Sequence, residues 1–300
     1  MVIRSCCCFG RKPRASDGSD AAGNGAKVHT TNGLDLNPNS KEGAASNVGD
    51  INAAKSRTKG PTPGPVLVEL FTSQGCTTSP TADLFISKLG QGDSAQELEL
   101  DVPVIILAYH VEYWDYLGWK DPFASSLWTV RQKAYGQSLQ QDSIYTPQVV
   151  VQGRSQCLGS DADSVLSLIR SAPRFPSSEI KTTIARPSES SMEVSLSGPL
   201  RFKVEGYSLD ILVALYENGH VTDCTKGENK GRVLTNDFVV RCLEKACTVK
   251  DVSARKTVTG KVTFNLWEGY SRSKCGLVMF FQNASTLEIQ GAQSLALPEI

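Results

Sequence analysis

Cys76 is the residue of this sequence that is best placed to do chemistry. It ends the stretch ELFTSQGC (69–76), in which an apolar run turns through Gly75, and it comes just before a predicted helix. Free N–H groups and the positive end of the helix dipole at such a position favour the thiolate form of a cysteine. The placement predicts a reactive thiol. The alternative is a small residue that is buried at a helix start.

The residue three positions after Cys76 is Ser79, where a dithiol enzyme would carry a second cysteine. A second thiol resolves the mixed disulfide that the first one forms. A serine hydroxyl cannot do this, although it can hydrogen-bond to the thiolate and stabilise it. The pair therefore predicts monothiol chemistry, either a mixed disulfide with glutathione or a protein thiol, or oxidation by peroxide. Cys157 is an alternative resolving thiol, although nothing in the sequence places it near Cys76.

The segment HVEYWDYLGWKDPF (110–123) begins at the C-terminal end of a predicted strand, the edge at which α/β sheets bind ligands. We interpret His110 as a proton acceptor or a cationic partner for the Cys76 thiolate. In this interpretation four other residues of the segment form a substrate-binding wall: Tyr113, Trp114, Asp115 and Trp119. The alternative is a satellite core whose polar groups are satisfied locally.

A second segment, Tyr145-Thr146-Pro147, comes just before a later predicted strand. In a thioredoxin-like fold, a cis proline at this place faces the reactive cysteine, and cis X–Pro bonds are rare enough to imply a role. We therefore expect Pro147 to shape a substrate groove, with Tyr145 and Thr146 contacting the substrate.

The elements that must position these residues alternate along the chain. Strands are predicted at 66–72 and 102–110, a hairpin within 146–159, and helices at 80–90, 125–141 and 160–172. Gly90 is expected to end the first helix, and the second is expected to carry an apolar stripe of Leu127, Val130 and Ala134. The order predicts two parallel strands followed by an antiparallel hairpin, as in a thioredoxin-like core.

The predicted fold class is an α/β thioredoxin-like domain followed by an all-β domain. Short alternating strands after Pro173 favour a β-sandwich, with an immunoglobulin-like arrangement among the candidates. The predicted segments are a disordered tail and linker at 1–64, the α/β domain at 65–173 and the β-rich domain at 174–300. The tail is rich in small and polar residues and has no apolar periodicity, so it cannot bury enough surface to order itself.

Three adjacent cysteines, Cys6, Cys7 and Cys8, lie beside basic residues in this tail. If acylated, they would supply acyl chains next to a basic patch, the two signals that stable membrane anchoring requires. The alternatives are a chloroplast or mitochondrial transit peptide and an unmodified tail. The predicted location is cytoplasmic, with peripheral membrane association through these cysteines, or else an organelle.

Charge and cysteine spacing argue against two classes of protein. The chain carries 31 basic and 31 acidic residues and no long basic run, so we expect no nucleic-acid partner. Cys224, Cys242, Cys247 and Cys275 lack the second tight pair of a zinc site, so no metal is predicted. The segment CTKGENKGRVL (224–234) is interpreted as a hairpin or Ω-type loop with solvated charges, with anion binding by Lys226, Lys230 and Arg232 as the alternative.

The chain resembles a thioredoxin-like domain-of-unknown-function family that occurs in bacteria, where members are often predicted to be secreted, and in plants. The resemblance covers residues 65 to about 298 and rests on VELFTSQGC, HVEYWDYLGWKDPF, YTPQVVVQGR, GENKGRVL and QGAQSL. It implies a thioredoxin-like fold with a β-rich extension and no established reaction. The bacterial Cys-x-x-Cys-Pro motif maps onto Cys76 and Ser79, so this chain keeps the first cysteine and lacks the second.

Three functions remain open. The first is a monothiol protein in which Cys76 is the nucleophile, Ser79 stabilises the thiolate, Pro147 shapes the groove and His110 acts as a base. The second is a non-catalytic module that binds a peptide or small ligand through residues 110–123, and the third is a membrane-surface scaffold. The expected partner is a thiol-containing protein or small molecule, with glutathione as a co-substrate and no resident cofactor. Whether the chain is an enzyme stays open.

Overall fold

Strands are the commonest element of the structure, a computed structural model that describes residues 63–92 and 100–298. In the first half, the elements are β1 (Val66–Thr72), α1 (Ser79–Gln91), β2 (Val104–His110), α2 (Ser126–Ser138), β3 (Gln148–Val151), β4 (Ser155–Leu158) and α3 (Ala162–Ser171). In the second half, they are β5 (Lys181–Ser188), β6 (Ser191–Pro199), β7 (Val204–Glu217), β8 (His220–Asp223), β9 (Val233–Asn236), β10 (Val239–Val252), β11 (Thr257–Asn265), β12 (Cys275–Asn283) and β13 (Ile289–Leu295). Short 3₁₀ turns occur at Asp115–Leu117 and Arg272–Lys274. The strands and helices that were predicted up to residue 172 are all present, with ends shifted by a few residues.

One eight-stranded sheet contains strands from both halves, in the order β13-β12-β7-β10-β2-β1-β3-β4. β1 and β2 are parallel in register, while β3 runs antiparallel to β1 and β4 antiparallel to β3. β10 lies beside the free edge of β2, where Val239 pairs with Ala108 and the Ala108 N–H donates to the Phe238 carbonyl at 2.8 Å. β7, β10, β12 and β13 continue the sheet as antiparallel neighbours.

The predicted fold class, an α/β thioredoxin-like domain followed by a separate all-β sandwich domain, is therefore wrong. The protein is mostly β, with strands from both sides of Pro173 in one mixed sheet. The physical reason lies at β2, whose outer edge would present unpaired N–H and C=O groups if the first half ended its own sheet there. β10 covers that edge.

The predicted boundaries of the segments at residues 64 and 173 stay predictions, and the tail and its cysteines lie outside the described residues.

Helices cover both faces of the sheet around β1. On one face, α1 and α3 bury side chains such as Ile86 and Ile169 against Val68 of β1. On the other face, α2 buries Trp128 and Tyr135 against Leu67 and neighbouring aromatic side chains. All seven residues of β1 are buried, which is why the strand reads as a nearly continuous apolar run.

A second layer covers the other end of the large sheet. The three-stranded sheet β11-β6-β5 packs on β7 and β12, and the core between them includes Val194, Val213 and Phe281. β8 and β9 form a separate two-stranded hairpin. Its connecting loop reaches the turn after β1, where the candidate site lies.

Candidate functional site

Cys76 lies in the turn between β1 and α1. Its N–H donates to the carbonyl of Ser73 at 3.1 Å, which closes the turn three residues before α1 begins at Ser79. The Cys76 Sγ lies 3.3 Å from Thr78 Oγ1 and 3.6 Å from the Thr146 carbonyl oxygen. The residue is 6% exposed. The thiol is thus nearly enclosed by polar groups from two segments that are distant in the sequence.

The polar groups around Cys76 act on its ionisation. Burial alone would raise the pKa of the thiol, but hydrogen bonds from Ser79, Thr146 and Thr78 favour the thiolate and lower the pKa below its usual value. By contrast, burial raises the pKa of each of the other five described cysteines: Cys157, Cys224, Cys242, Cys247 and Cys275. Among the cysteines that the structure describes, the thiolate is favoured at Cys76 alone.

Trp114, Thr146 and Pro147 lie next to this thiol. The Thr146–Pro147 bond is cis, and the Trp114 Nε1–H donates to Thr146 Oγ1 at 2.7 Å. Trp114 also packs on Gly75, where an added Cβ would lie 2.9 Å from the Trp114 Cβ. Residue 75 must therefore be glycine for the indole to approach the Cys76 turn. The structure brings these predicted site residues together.

Four other predicted residues are placed differently. Burial is the main cause of the raised pKa of Tyr113, and the negative charge of the nearby Cys76 thiolate adds to it. Trp119 donates from Nε1 to Gln74 Oε1 at 3.1 Å, and Asp115 Oδ1 accepts from the Asp121 N–H at 3.2 Å. Tyr145 turns toward β4, where its hydroxyl donates to Gln156 Oε1. Trp119 and Asp115 therefore make hydrogen bonds that hold the segment 110–123 in place, while the Tyr145 side chain is directed toward β4.

His110 pairs with a carboxylate. Its Nδ1 lies 2.7 Å from Asp121 Oδ2, and both side chains are fully buried. Burial would lower the pKa of His110, but the neighbouring Asp121 raises it above its usual value. Its Nε2 has no hydrogen-bond partner among the described residues. No hydrogen bond joins His110 to Cys76 in the described part of the chain, so its predicted role as a base has no geometric support.

Asp83 is a second carboxylate beside this pair. It projects from the first turns of α1 into the protein, and burial raises its pKa to about 6 despite the favourable charge of His110. Burial would also raise the pKa of Asp121, but His110 and the N–H groups of Gln74 and Phe123 hold it below its usual value. Asp121 Oδ2 accepts from the Gln74 N–H at 2.8 Å, so the buried pair anchors the residue two positions before Cys76.

The loop between β8 and β9 closes over the Cys76 turn. Asn229, which is 1% exposed, donates from Nδ2 to the carbonyls of Gln74 at 2.8 Å and Cys76 at 2.9 Å. The Gln74 side chain donates in turn to Asn236 Oδ1 at 2.8 Å and Thr222 Oγ1 at 3.0 Å, on the two strands of the hairpin. The interpretation of residues 224–234 as a loop with solvated charges agrees with the exposed side chains of its four charged residues, Lys226, Glu228, Lys230 and Arg232. The uncharged Asn229 differs from them, because its side chain is buried against the turn.

Sequence reasoning missed Gln74, Thr78, Asp83 and Asn229. Thr78 carried a signal, since a hydroxyl two residues after a cysteine lies within reach of its sulfur in a tight turn. Asn229 carried a weaker one, as an amide flanked by glycines in a segment already singled out. Its target, 153 residues away in the sequence, is set by tertiary packing alone.

Cys157, the alternative resolving thiol, has little structural support. Burial, and then the charge of Asp161, raises the pKa of Cys157 to about 11, which disfavours its thiolate.

Among residues 63–92 and 100–298, no His, Cys, Asp and Glu side chains are grouped to hold a metal ion. Within the same ranges, no helix combines the length and apolar character that crossing a membrane would demand.

These features define a mixed-sheet protein in which, among the cysteines of residues 63–92 and 100–298, the thiolate is favoured at the one in the turn between the first strand and the first helix. The chain belongs to the family described as protein of unknown function (DUF1223), whose pattern matches residues 67–282. A search of curated proteins found no match.

Two solved structures share the architecture. A protein from Agrobacterium tumefaciens is 25% identical, with a TM-score of 0.54 over 80% of this chain and 98% of the other. HBP35 of Porphyromonas gingivalis is 16% identical, with a TM-score of 0.55 over 80% of this chain and 77% of the other, and shows similarity of fold alone. The family description names no activity and the architecture is largely β, so classification as a thioredoxin-fold redox protein is not supported.

Proposed function

We propose that the protein reacts through a single thiol, with Cys76 as the nucleophile that forms a mixed disulfide with glutathione or with a protein thiol. The observation that carries this proposal is the contrast between Cys76, whose pKa is lowered, and the five other described cysteines, whose pKa values are raised. The thiolate is the nucleophilic form. The proposal rests on these surroundings and not on a fold class.

The reaction is an exchange between a thiolate and a disulfide. The Cys76 thiolate attacks one sulfur of glutathione disulfide, a new S–S bond forms, the old one breaks, and glutathione thiolate leaves. Ser79 and Thr78 stabilise the attacking thiolate through their hydroxyl groups. Because position 79 carries no thiol, the mixed disulfide persists until a second glutathione thiolate attacks it and restores Cys76.

The test uses the full chain and glutathione disulfide near neutral pH. Peptide mass spectrometry should find the glutathione adduct mainly on Cys76, and Cys76→Ser should lose it. Cys157→Ser is the matched control, since it removes a half-buried cysteine with a raised pKa and should leave the Cys76 adduct unchanged. An adduct spread evenly over the cysteines, or absent from Cys76, would refute the proposal.

Binding without chemistry is a second candidate function, favoured by the aromatic surface beside the thiol. Tyr116 is 70% exposed and stacks on Trp114, with ring centroids 6.4 Å apart. Exposed aromatic rings beside a polar turn suit a peptide or a small ligand. In this case Trp114→Ala would abolish ligand capture while Cys76→Ser would leave it intact. The thiol proposal expects Cys76→Ser to have the larger effect of the two.

A further inference from the structure

Asn229 is one of the residues through which the second half of the chain contacts the Cys76 turn. Its side-chain amide donates to two backbone carbonyls, those of Gln74 and Cys76, and so bridges both sides of Gly75. The side chain is almost completely buried. A single amide therefore fixes the direction of both carbonyl groups that flank the turn.

The loop around Asn229 holds this amide in one orientation. The Arg232 Nη1 donates to Asn229 Oδ1 at 2.8 Å, so the oxygen faces the guanidinium and Nδ2 faces the turn. The loop itself is closed by backbone hydrogen bonds, from the Cys224 N–H to the Arg232 carbonyl at 2.9 Å and from the Gly231 N–H to the Cys224 carbonyl at 2.7 Å. The loop's own hydrogen bonds thus orient the Asn229 Nδ2 group toward the Cys76 turn.

We infer that Asn229 is a positioning residue for the Cys76 thiol, an inference that rests on the proposed function. By holding the carbonyls of Gln74 and Cys76, its amide keeps the turn in the conformation in which Sγ lies beside the Thr78 hydroxyl and the Thr146 segment. Without that donor, the two carbonyls lack their partner and the turn relaxes to recover hydrogen bonds. The sulfur then leaves the hydroxyl groups that stabilise its thiolate. Reactivity at Cys76 is therefore set in part by a residue on the β8–β9 loop.

The experiment compares the pH dependence of Cys76 alkylation by iodoacetamide in the full chain, read from the Cys76 peptide by mass spectrometry. Asn229→Leu has a side chain of similar size and removes the donor without placing a charge beside the thiolate. We expect the midpoint of alkylation to rise by at least about one pH unit, which corresponds to about tenfold less thiolate at a given pH below the midpoint. Arg232→Gln, at an exposed position, frees the amide orientation and should give a smaller rise in the same direction.

Asn283→Ala is the matched control, because Asn283 is also a buried asparagine that holds a turn, accepting from the N–H groups of Ser285 and Thr286. It should leave the Cys76 midpoint unchanged. If both Asn229→Leu and Arg232→Gln behave like the wild type while the wild-type midpoint is low, the inference falls and the proposed function stands. An equal rise in Asn283→Ala would also overturn it, by showing a general effect of destabilisation. If the wild-type midpoint is not lowered, the proposed function itself fails.

Discussion

Neutral hydroxyl groups, rather than a cation, are the main groups that stabilise the Cys76 thiolate. The contributions that lower its pKa come from Ser79, Thr146 and Thr78, and they outweigh the effect of burial. Hydrogen bonds of this kind are short-ranged and are screened little by salt, unlike a distant ion pair. Ser79 gives the largest of these contributions, at the position where a dithiol enzyme would carry a second cysteine.

Ser79→Ala should raise the pKa of Cys76 by about one unit, since a hydrogen bond to a charged group contributes about 1.5 kcal/mol. The alkylation profile of Cys76 gives the measurement. Ser164→Ala, at the exposed start of α3, is the control and should have no effect on this profile. An unchanged profile in Ser79→Ala would show that the serine does not stabilise the thiolate.

The buried Asp83, His110 and Asp121 cluster makes folding depend on pH. Asp83 has a folded pKa of about 6, above its usual value, so the folded state holds this proton more tightly than the unfolded state. The stability that it contributes is present below pH 4 and is lost as pH rises to about 6. His110, whose pKa is also raised, loses its contribution at a higher pH, and Asp121, whose pKa is lowered, acts in the opposite sense at low pH.

Asp83→Asn should remove the pH dependence due to this carboxyl. Between pH 4 and pH 7, the free energy of unfolding of the variant should gain roughly 2–3 kcal/mol relative to the wild type, from a shift of about two units. Urea unfolding at several pH values measures this difference. A constant difference between the two proteins across the range would show that Asp83 titrates normally.

At the scale of the element, two glycines in helices have opposite surroundings. Gly90 was predicted to end α1, but the helix continues through Gln91 and is capped by Gly92 at φ +78°. A Cβ at residue 90 would lie 2.6 Å from the Phe238 ring and 2.7 Å from Ile106. Gly136 in α2 has room, since a Cβ there would lie 3.5 Å from Ile144. Gly90 is therefore required by the contact of α1 with the sheet.

Gly90→Ala should destabilise the protein by about 1–3 kcal/mol, because overpacking outweighs the better helix propensity of alanine. Gly136→Ala is the matched comparison and should stabilise by up to about 1 kcal/mol. Thermal and urea unfolding of both variants give the sign. Stabilisation by Gly90→Ala would mean that α1 does not pack this closely on Phe238.

At the scale of the whole molecule, the second half of the chain completes the first. β10 covers the edge of β2, Phe238 packs against α1, and Asn229 holds the Cys76 turn. The site is thus built from residues on both sides of Pro173, although the local sequence of the first half contains all the elements that carry the thiol.

A fragment of residues 63–173 should consequently lose both order and thiol reactivity. The uncovered β2 edge favours association, and without Asn229 the Cys76 pKa should return toward its usual value near 8.5. Circular dichroism, sedimentation and the alkylation profile of the fragment test this expectation. A monomeric, cooperatively folding fragment with a low Cys76 pKa would show that residues 65–173 form an independent domain.

The helix α2 illustrates where sequence patterns mislead. Leu127, Val130 and Ala134 were expected to face the core, but Leu127 and Val130 are 66% and 64% exposed, and α2 buries Trp128, Thr129, Gln132 and Tyr135 instead. Its buried face carries polar groups because they have partners: Arg131 pairs with Glu69 at 2.7 Å, and Gln132 donates to the Tyr145 carbonyl at 2.7 Å. A helix face that buries polar residues with hydrogen-bond partners has no apolar stripe, so hydrophobic periodicity does not identify it as the face toward the core.

The sequence by itself determined the local elements of the first half and the position of the thiol. Apolar runs, a proline in the first turn of α1 and capping residues are local signals, so β1, α1 and β2 and the turn at Cys76 could be read directly. Only the tertiary structure decided that β10 joins β2, that His110 pairs with Asp121, and that Asn229 closes over Cys76. These contacts depend on which free edge and which buried carbonyl find a partner across the fold, and no local pattern along the chain encodes that choice.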